Sequence, residues 1–390
     1  MSGPRVFLCA GEASGDALGA SLLLELSRRA PELEAFGMGG PAMKAAGFRA
    51  LHGIEELGVV GLLEVLRHLP RLFGLVRDLA EQAIALRPDV AVLIDVPDFN
   101  LRLARRLAAA GIPVIFYVGP SVWAWRSGRV AAFRRVATKM LVLFPFEVEV
   151  WRQAGVDVSC VGHPLLDEIP TKAVARRPRT VALLPGSRRS EVKRHLSILL
   201  EAAQRLRDRG KADRFVIPVA PSLDAGELQR LVDQSSVASA VELISSGVDP
   251  EPRRTAVQEA SVALVASGTA TLETALLGTP QVILYRVNAL SYWLGRLLTK
   301  IRFLGLPNLI SGRGIVPELL QSDLSPERLS AAAEDVLSNP VPQASALLEL
   351  RERLGPGGAS AKAADLVMEV LSRRLLPASA PARSEPGSPR

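Results

Sequence analysis

Cysteine is almost absent from this chain of 390 residues, which contains only Cys9 and Cys160. Two cysteines cannot build a framework of several disulfides, and they are too few for a cysteine-rich metal cluster. Each lies in or beside a short apolar run, so we expect both to be packing residues. The four histidines are not spaced like metal ligands either. We therefore expect neither a bound metal nor another cofactor.

Long apolar runs are also missing. No stretch approaches the roughly 18 apolar residues of a membrane-spanning helix, and runs such as Val90 to Ile94 and Met140 to Phe144 have the length of buried strands. The first run, Val6 to Ala10, is shorter than the core of a signal peptide and leads directly into a glycine-rich loop. We therefore expect a cytoplasmic protein without a membrane span.

Acidic residues are fewer than basic ones, 40 against 47, which gives a net charge of +7 and a pI near 9.8. Such a balance predicts an anionic partner: nucleic acid, a phosphorylated substrate or an acidic membrane surface. Between Asp98 and Glu147 the sequence has no acidic residue at all. Eight basic residues fall in that interval: Arg102, Arg105, Arg106, Arg126, Arg129, Arg134, Arg135 and Lys139.

The length exceeds what one ordinary hydrophobic core can organise, so two domains are expected. Short apolar runs alternate with helical stretches, a rhythm typical of βαβ units and a parallel sheet, and the rhythm restarts at the strand Thr180 to Leu184. We predict an α/β protein with two Rossmann-like domains facing across a cleft. The predicted segments are a first domain at 1–163, a second at 164–345, helices in 346–376 that pack back on the first domain, and a disordered tail at 377–390.

Open α/β sheets bind ligands at the carboxyl ends of their strands, so the loops there carry the candidate sites. The loop Gly11 to Asp16 follows the first strand and opens a helix whose free amides suit an anion. It lacks the spacing of the dinucleotide and P-loop fingerprints. A tight turn in which Ser14 or Asp16 caps the helix is an alternative interpretation.

A second loop, Asp95 to Asn100, places two carboxylates after the strand Val90 to Ile94, with Pro97 between them. A carboxylate at that position can accept a proton from a sugar hydroxyl, as glycosyl transfer requires. The alternative is that Asp98 or Asn100 caps a helix that begins at Leu101.

Two tryptophans and an arginine follow another predicted strand, in the segment Tyr117 to Arg126. Flat rings beside a cation suit a sugar or an acyl phosphate. Packing of Trp123 and Trp125 at a domain interface is the alternative.

Two loops of the second domain have the character of phosphate sites. Gly186 and Ser187 offer backbone amides after a strand, and Arg188 can bind phosphate oxygens bidentately. The segment Ser267 to Glu273 runs from a strand into a helix whose first N–H groups suit phosphate, and its glutamate can accept hydrogen bonds from ribose hydroxyls. Two such loops in one domain favour a nucleotide site over a pair of ordinary helix caps.

Two basic amphipathic stretches, Leu57 to Leu79 and Leu290 to Leu304, interleave large apolar residues with basic ones. Helices of this composition lie in the plane of a membrane interface. The candidate lipid contacts in the second stretch are Trp293, Leu297 and Phe303. Core-facing helices with a solvated basic face are the alternative.

The motifs resemble those of lipid-A-disaccharide synthases, in the same order, over about residues 5 to 375. The matching segments are Gly11–Asp16, Pro97–Asn100, Pro120–Arg126, Leu184–Arg188, Ser267–Glu273 and Leu306–Leu309. The resemblance implies the two-domain, GT-B type fold of UDP-sugar glycosyltransferases, with the acceptor on the first domain and the UDP-sugar on the second. It implies metal-independent transfer of 2,3-diacylglucosamine from UDP to 2,3-diacylglucosamine 1-phosphate, giving a β-1,6-linked disaccharide and UDP.

The resemblance also implies roles for individual residues. Asp98 would deprotonate the acceptor 6-hydroxyl, which attacks the anomeric carbon with inversion, and His163 at the domain junction is the second-choice base. Residues expected to bind the acceptor are Glu12, Ser14, Asp16, Asn100, Ser121, Trp123 and Arg126. Residues expected to bind UDP are Gly186, Ser187, Arg188, Ser267, Gly268, Thr269, Ala270, Thr271, Glu273 and Asn308.

Two other functions use parts of the same pattern. A UDP-N-acetylglucosamine epimerase would keep the nucleotide site but need no lipid acceptor, and the two amphipathic stretches argue against it. A non-catalytic lipid carrier at the membrane surface would need neither the phosphate loops nor Asp98. Nucleic-acid binding is not expected, because the basic residues coincide with tryptophans and apolar helices rather than with a known module. We expect peripheral association with the anionic cytoplasmic face of the inner membrane, and the sequence leaves a homodimer open.

Overall fold

The structure is a computed structural model that describes residues 3–57, 62–120, 127–169, 174–247, 249–286 and 303–375, without the side chains of 62–69 and 127–129. These residues form two compact units. The first unit takes the described residues up to Gly162 and again from Gly358, and the second takes those from His163 to Gly357. The second unit is therefore an insertion in the sequence of the first.

The first unit is built on a parallel sheet of seven strands in the order β3-β2-β1-β4-β5-β6-β7. The strands are β1 Arg5–Ala10, β2 Glu34–Gly39, β3 Arg49–Gly53, β4 Val90–Ile94, β5 Val114–Tyr117, β6 Lys139–Val142 and β7 Val158–Cys160. The helices between them are α1 Ala13–Arg29, α2 Pro41–Ala45, α3 Leu62–Leu86, α4 Pro97–Ala109, α5 Ser127–Arg134 and α6 Pro145–Gln153. The central strands β1 and β4 are apolar along their length because helices cover both faces of the sheet.

Aromatic side chains fill the core of the first unit on one side of the sheet. The ring centroids of Phe116 and Phe133 lie 4.9 Å apart, and those of Phe133 and Trp151 lie 5.7 Å apart, both edge to face. Edge-to-face pairs are favourable because the positive rim of one ring meets the negative face of the other. These contacts join β5, α5 and α6 into one packed layer.

The second unit repeats the design with six parallel strands in the order β10-β9-β8-β11-β12-β13. Its helices begin with α7 Leu165–Glu168. The strands are β8 Arg177–Leu184, β9 Arg214–Pro218, β10 Val241–Ile244, β11 Ala260–Ala266, β12 Gln281–Tyr285 and β13 Glu318–Leu320. The other helices are α8 Arg189–Asp208, α9 Ala225–Asp233, α10 Glu251–Glu259, α11 Thr269–Leu276, α12 Leu306–Ser311, α13 Pro326–Ser338 and α14 Val341–Leu354.

The last two helices belong to different units. The side chain of Gln343 in α14 bonds both the N–H and the carbonyl of Gln281, at 2.6 and 3.1 Å, which ties α14 to the second unit. The last helix, α15 Ala359–Leu375, packs instead on α1, where Arg29 donates to Asp365 at 2.7 Å. Residues 346–376 were all predicted to pack on the first domain, but of their helices only α15 lies there.

Within the described residues, the chain passes between the units at two points, and a glycine with left-handed backbone stands at each. Gly162 has φ +92° and Gly358 has φ +77°. Glycine adopts this conformation without the clash that a Cβ would cause. Both crossings therefore use backbone turns that other residues rarely adopt.

Candidate functional site

Each sheet reverses its strand order at one point, between β1 and β4 in the first unit and between β8 and β11 in the second. Ligands of open α/β sheets bind outside the carboxyl ends of the strands at such a point. The four loops chosen from the sequence follow these four strands, at 11–16, 95–100, 185–188 and 267–273. Each unit thus has its two predicted loops beside its own switch point.

The loops after β1 and β4 approach each other closely. A Cβ at Gly11 would lie 2.6 Å from Cγ2 of Val96, and one at Gly15 would lie 3.8 Å from Cβ of Asp95. The first distance is shorter than any carbon–carbon contact, so the approach at position 11 requires glycine. The glycines of the first motif therefore serve contact between loops.

The polar side chains of the loop after β1 differ in their surroundings. Glu12 and Ser14 are exposed, and no side chain caps the first amides of α1. Asp16 is buried, and its oxygens accept hydrogen bonds from three backbone N–H groups at the start of α2, at 2.7, 2.9 and 3.1 Å. Asp16 therefore caps α2 rather than α1, and its contact with the acceptor stays a prediction.

Asp98 lies in the first turn of α4, directly after a strained turn. Asp95 and Val96 both have left-handed backbone, with φ values of 54° and 40°. A β-branched residue such as valine rarely adopts this conformation, which costs on the order of 1–3 kcal/mol where it is enforced. Pro97 then begins the helix, and the side chain of Asp98 is exposed. The turn thus presents this carboxylate at the carboxyl end of β4.

Asn100 holds that turn from inside. Its side-chain amide is fully buried and donates to the carbonyls of Ile94 and Asp95, at 3.1 and 2.6 Å. Burial raises the pKa of the Asp95 carboxyl, although the N–H of Val96 donates to it at 2.9 Å. Asn100 therefore has a structural role in this turn, and its contact with the acceptor stays a prediction.

The remaining predicted acceptor residues, Ser121, Trp123 and Arg126, lie outside the described residues. Among the basic residues between Asp98 and Glu147, Lys139 is buried and pairs with Asp157 at 2.8 Å. It therefore does not belong to an anion-binding face.

The second unit contains a cavity of about 550 Å³ at the carboxyl ends of its strands. Its wall is formed by the loops after β8, β9 and β11, by one side of α10 and by Tyr285 at the end of β12. Such a volume falls within the usual range for small-molecule sites. The predicted UDP-binding residues that line it are Gly186, Ser187, Arg188, Ser267, Gly268, Thr269, Ala270 and Glu273.

A carboxylate occupies part of the loop after β8. Glu191, in the first turn of α8, accepts hydrogen bonds from the N–H groups of Ser187 and Arg188 at 3.0 and 3.3 Å. A Cβ at Gly186 would lie 2.4 Å from the same carboxylate, so only glycine fits there. Sequence reasoning missed Glu191, although its spacing from Arg188 is that of a capping box. Nη1 of Arg188 also lies 3.5 Å from the carboxylate of Glu191, but the side chain of Arg188 is 73% exposed, so an anion can still reach its guanidinium.

The loop after β11 leads into α11 without a side-chain cap, because the N-cap residue is Gly268. The hydroxyl of Ser267 donates to a backbone carbonyl at 3.3 Å, and that of Thr271 donates to the carbonyl of Gly268 at 2.8 Å. Thr271 is fully buried and does not line the cavity, whereas Thr269 and Ala270 do. Backbone N–H groups at the start of α11 therefore supply the polar face on this side of the cavity.

Glu273 is held in place by an arginine that the sequence did not reveal. Nε of Arg254 donates to Glu273 at 2.8 Å, and the same guanidinium pairs with Glu168. The side chain of Arg254 is 11% exposed, which leaves it little freedom to reorient. The three residues lie on α11, α10 and α7, far apart in the sequence, so no local motif could have connected them.

Asn308 does not reach the cavity. Its buried amide donates to the carbonyl of Val316 and to Glu318, at 2.8 and 2.6 Å, and its Oδ1 accepts from the N–H groups of Ile315 and Val316 at 2.7 and 2.8 Å. All its bonds are internal. Asn308 therefore fixes the chain around α12, and its contact with UDP stays a prediction.

His163 is buried at the start of the second unit, and its Nδ1 accepts from the N–H of Leu165 at 3.2 Å. Burial lowers the pKa of His163 to about 4. A base is most effective when its pKa is near the working pH, so a histidine of this kind takes up a proton poorly. His163 is thus buried and weakly basic, whereas the side chain of Asp98 is exposed.

The two amphipathic stretches are described in part. Trp293 and Leu297 lie outside the described residues, and Phe303 is half-buried. In the first stretch, on α3, the side chain of Phe73 is 51% exposed, and the guanidinium of Arg102 lies 5.2 Å from the centre of its ring. Within the described ranges, no helix has the length and hydropathy needed to cross a membrane. The same ranges hold no cluster of three or more side chains able to bind a metal ion.

Solved structures with the same architecture include the calicheamicin glycosyltransferase, with a TM-score of 0.62 and 16% identity over 97% of this chain and 100% of that one. The UDP-N-acetylglucosamine 2-epimerase of Neisseria meningitidis gives a TM-score of 0.61 and 12% identity, covering 95% of this chain and 100% of that one. By fold the chain is thus an α/β protein with two Rossmann-like domains, of the GT-B type shared by such glycosyltransferases and epimerases.

Sequence comparison separates these two classes. The family described as lipid-A-disaccharide synthetase matches residues 6–357. Relatives include the lipid-A-disaccharide synthases of Myxococcus xanthus, 42% identical over 94% of this chain and 98% of that one, and of Geobacter sulfurreducens, 39% identical over 95% and 98%. The chain belongs to the lipid-A-disaccharide synthetase family.

Proposed function

We propose that this chain transfers 2,3-diacylglucosamine from UDP to 2,3-diacylglucosamine 1-phosphate, forming the β-1,6-linked disaccharide 1-phosphate and UDP. The observation that carries the proposal is the cavity of the second unit, whose wall combines the exposed Arg188, the uncapped start of α11 and the oriented carboxylate of Glu273. A cation and helix amides suit a diphosphate, and a fixed carboxylate suits ribose hydroxyls. We take the identity of the two sugars from the family to which the chain belongs.

In the proposed reaction Asp98 accepts the proton of the acceptor 6-hydroxyl. Its exposed position after the strained turn leaves the carboxylate accessible to a substrate. The oxygen freed of its proton attacks the anomeric carbon of the donor from the face opposite UDP and inverts it. The proton remains on Asp98 until solvent removes it.

The bond between the anomeric carbon and the diphosphate oxygen breaks with both electrons on UDP. Positive groups that are already oriented stabilise such developing charge without further rearrangement. Arg188 and the first N–H groups of α11 are the groups of the second unit that meet this requirement. We therefore assign the UDP-sugar to the second unit and the acceptor to the first.

The test is to incubate the purified chain with both acylated sugars and to measure UDP release and disaccharide formation. The proposal predicts release of UDP only when both sugars are present. Conversion of UDP-N-acetylglucosamine without a lipid acceptor would indicate an epimerase, and lipid binding without any UDP release would indicate a carrier. The variant Arg188→Ala should raise KM for the donor more than for the acceptor, because it removes a charge-assisted contact.

We further propose that the protein works in the cytoplasm, peripherally bound to the anionic inner membrane through the first amphipathic stretch. The exposed ring of Phe73 on α3 and the neighbouring arginines support this assignment. The variant Phe73→Ser should bind anionic vesicles more weakly than the parent in a sedimentation assay. The matched control is Leu24→Ser on α1, whose side chain is 50% exposed and lies away from α3. Equal losses in both variants would contradict a specific role for α3.

A further inference from the structure

A groove of about 620 Å³ lies on the first unit between α3 and α4. One wall carries Phe73 and Arg77 of α3, and the other carries Arg102, Arg105 and Arg106 of α4. We refer to these five residues as the arginine groove.

The positive charge of the arginine groove is poorly neutralised. Arg77 lies 3.9 Å from Glu81, at the limit of an ion pair. Within the part of the chain that the structure describes, no carboxylate pairs with Arg102, Arg105 or Arg106. Like charges three and four residues apart on a helix repel one another, so a bound anion would stabilise the cluster.

The groove has an apolar side as well. The guanidinium of Arg102 lies 5.2 Å from the centre of the Phe73 ring, whose side chain is 51% exposed. A large exposed ring beside several cations suits an amphiphile that carries both an anionic group and an apolar part. A small inorganic anion would leave the ring without an apolar partner.

The groove begins one helical turn from Asp98. The side chain of Arg102 donates to the backbone carbonyl of Asp98 at 2.7 Å. Given the rise of an α-helix, Arg102 lies about 6 Å along α4 from Asp98, and Arg105 and Arg106 lie about 10–12 Å along it. One ligand of the size of a sugar phosphate could therefore contact both Asp98 and these arginines.

We propose that the arginine groove binds the phosphate of the acceptor lipid, with the ring of Phe73 against its apolar part. The inference rests on the proposed function, in which Asp98 accepts a proton from a hydroxyl of that same acceptor. A phosphate monoester carries up to two charges and three oxygens, which match the planar, bidentate guanidinium better than a lone ammonium. Recognition of this phosphate would place the reactive hydroxyl next to Asp98.

The test compares two triple variants with equal loss of charge. In the first, Arg102, Arg105 and Arg106 are each replaced by Gln. In the control, Arg28, Arg152 and Arg373 are replaced by Gln; their side chains are 73%, 67% and 71% exposed on other helices of the first unit. Binding of 2,3-diacylglucosamine 1-phosphate, of the same lipid without phosphate, and of UDP is measured in neutral detergent micelles.

We expect the groove variant to bind the phosphorylated lipid about 10- to 100-fold more weakly, as the loss of charge-assisted hydrogen bonds implies. Its affinities for the lipid without phosphate and for UDP should match those of the parent, and the control should match the parent throughout. If the triple variant fails to fold, Arg105→Gln alone should show a smaller loss confined to the phosphorylated lipid.

Equal weakening for both lipids, or no weakening for either, would overturn the inference. Unchanged lipid affinity in micelles with lost binding to anionic vesicles would overturn it too, and would assign the groove to the bilayer surface. Because binding is measured apart from turnover, a parent that binds the phosphorylated lipid through the groove but releases no UDP would contradict the proposed function alone.

Discussion

Shortly before Asp98, the residues Asp95 and Val96 both have left-handed backbone, which is rare above all for a β-branched residue such as valine. The buried amide of Asn100 bonds the carbonyls of Ile94 and Asp95 and so holds this turn in place. Strain that is fixed by its surroundings is often found where a side chain must be presented to a ligand. The local arrangement thus agrees with the assignment of Asp98 as the base.

The variant Asp98→Asn should lower turnover by about 10²–10⁴ while most substrate binding is preserved, because the amide keeps the shape but cannot take up the proton. Single-turnover kinetics would measure the chemical step directly. Asp95→Asn is the comparison: this half-buried carboxyl bonds the N–H of Val96, so its loss should affect stability more than rate. A positioned base contributes far more than threefold to the rate. Turnover of Asp98→Asn within about threefold of the parent would therefore show that another residue is the base.

Arg254 acts through Glu273, which it holds from behind the cavity wall. The variant Arg254→Met should weaken UDP binding about tenfold, since one charge-assisted bond that orients the carboxylate is lost. The parent should also prefer UDP over 2′-deoxy-UDP, and this preference should shrink in Arg254→Met. Titration calorimetry with both nucleotides would measure it.

The double variant Arg254→Met with Glu273→Gln separates orientation from simple destabilisation. If Arg254 works by orienting Glu273, the double variant should bind UDP about as weakly as Glu273→Gln alone. Additive losses would show that Arg254 has an independent role.

How well the sequence predicted the place of a single residue depended on whether the residue lines the cavity or bonds backbone groups inside its own unit. Glycines and exposed residues of the second-unit loops line the cavity, and their contact with UDP stays a prediction. Asp16, Asn100, Thr271 and Asn308 were also singled out, but each is buried and bonds backbone groups of its own unit. A motif indicates that a polar residue has a hydrogen-bond partner, but the fold is needed to show whether a backbone amide far away in the sequence fills that role.

At the scale of single elements, the apolar runs of the sequence were reliable guides. The predicted strand Val90 to Ile94 is confirmed as β4, and Thr180 to Leu184 lies within β8. The helix expected from Leu101 begins at Pro97 instead, because proline needs no hydrogen-bond partner in the first turn. Outer strands such as β3 and β7 were not predicted, since they are short and only half-buried and so leave a weak apolar signal.

The helix α2 depends on a residue of α1. Asp16→Asn should lower the free energy of unfolding by about 1–3 kcal/mol, because an amide nitrogen would face buried backbone N–H groups that now have an acceptor. Urea denaturation would measure the loss, with the exposed Ser14→Ala as a control expected to change stability little. A stable Asp16→Asn that binds the acceptor poorly would instead restore the ligand contact suggested by the sequence.

Two buried titratable groups, His163 and Glu147, make the stability of the whole molecule depend on pH in opposite directions. Burial lowers the pKa of His163 from 6.5 to about 4, so its contribution to stability is complete above pH 6.5 and is lost as the pH falls to 4. Burial raises the pKa of Glu147 from 4.5 to about 7, so its contribution is complete below pH 4.5 and is lost as the pH rises to 7. Between about pH 4.5 and 6.5 both groups change the stability, and their effects offset each other.

The variant Glu147→Gln should therefore gain stability relative to the parent as the pH rises from 4.5 to 7, by about 3 kcal/mol over that range. Urea denaturation at several pH values would measure the difference between the two curves. His163→Gln should show the reverse trend, with its advantage over the parent growing as the pH falls below 6.5. A constant difference between Glu147→Gln and the parent would mean that this carboxyl ionises normally in the folded chain.

The insertion of the second unit within the first has a consequence for synthesis on the ribosome. Residues 163–357 emerge before α15, whose Ala363, Ala364 and Val367 are buried against the first unit. At about 5–20 residues per second, the nascent first unit waits roughly ten to forty seconds for its last helix. The second unit, by contrast, can complete its fold as soon as its own strands have left the exit tunnel of the ribosome. The half of the protein that is translated first is thus the half that is finished last, and α1 stays uncovered until α15 has left the ribosome.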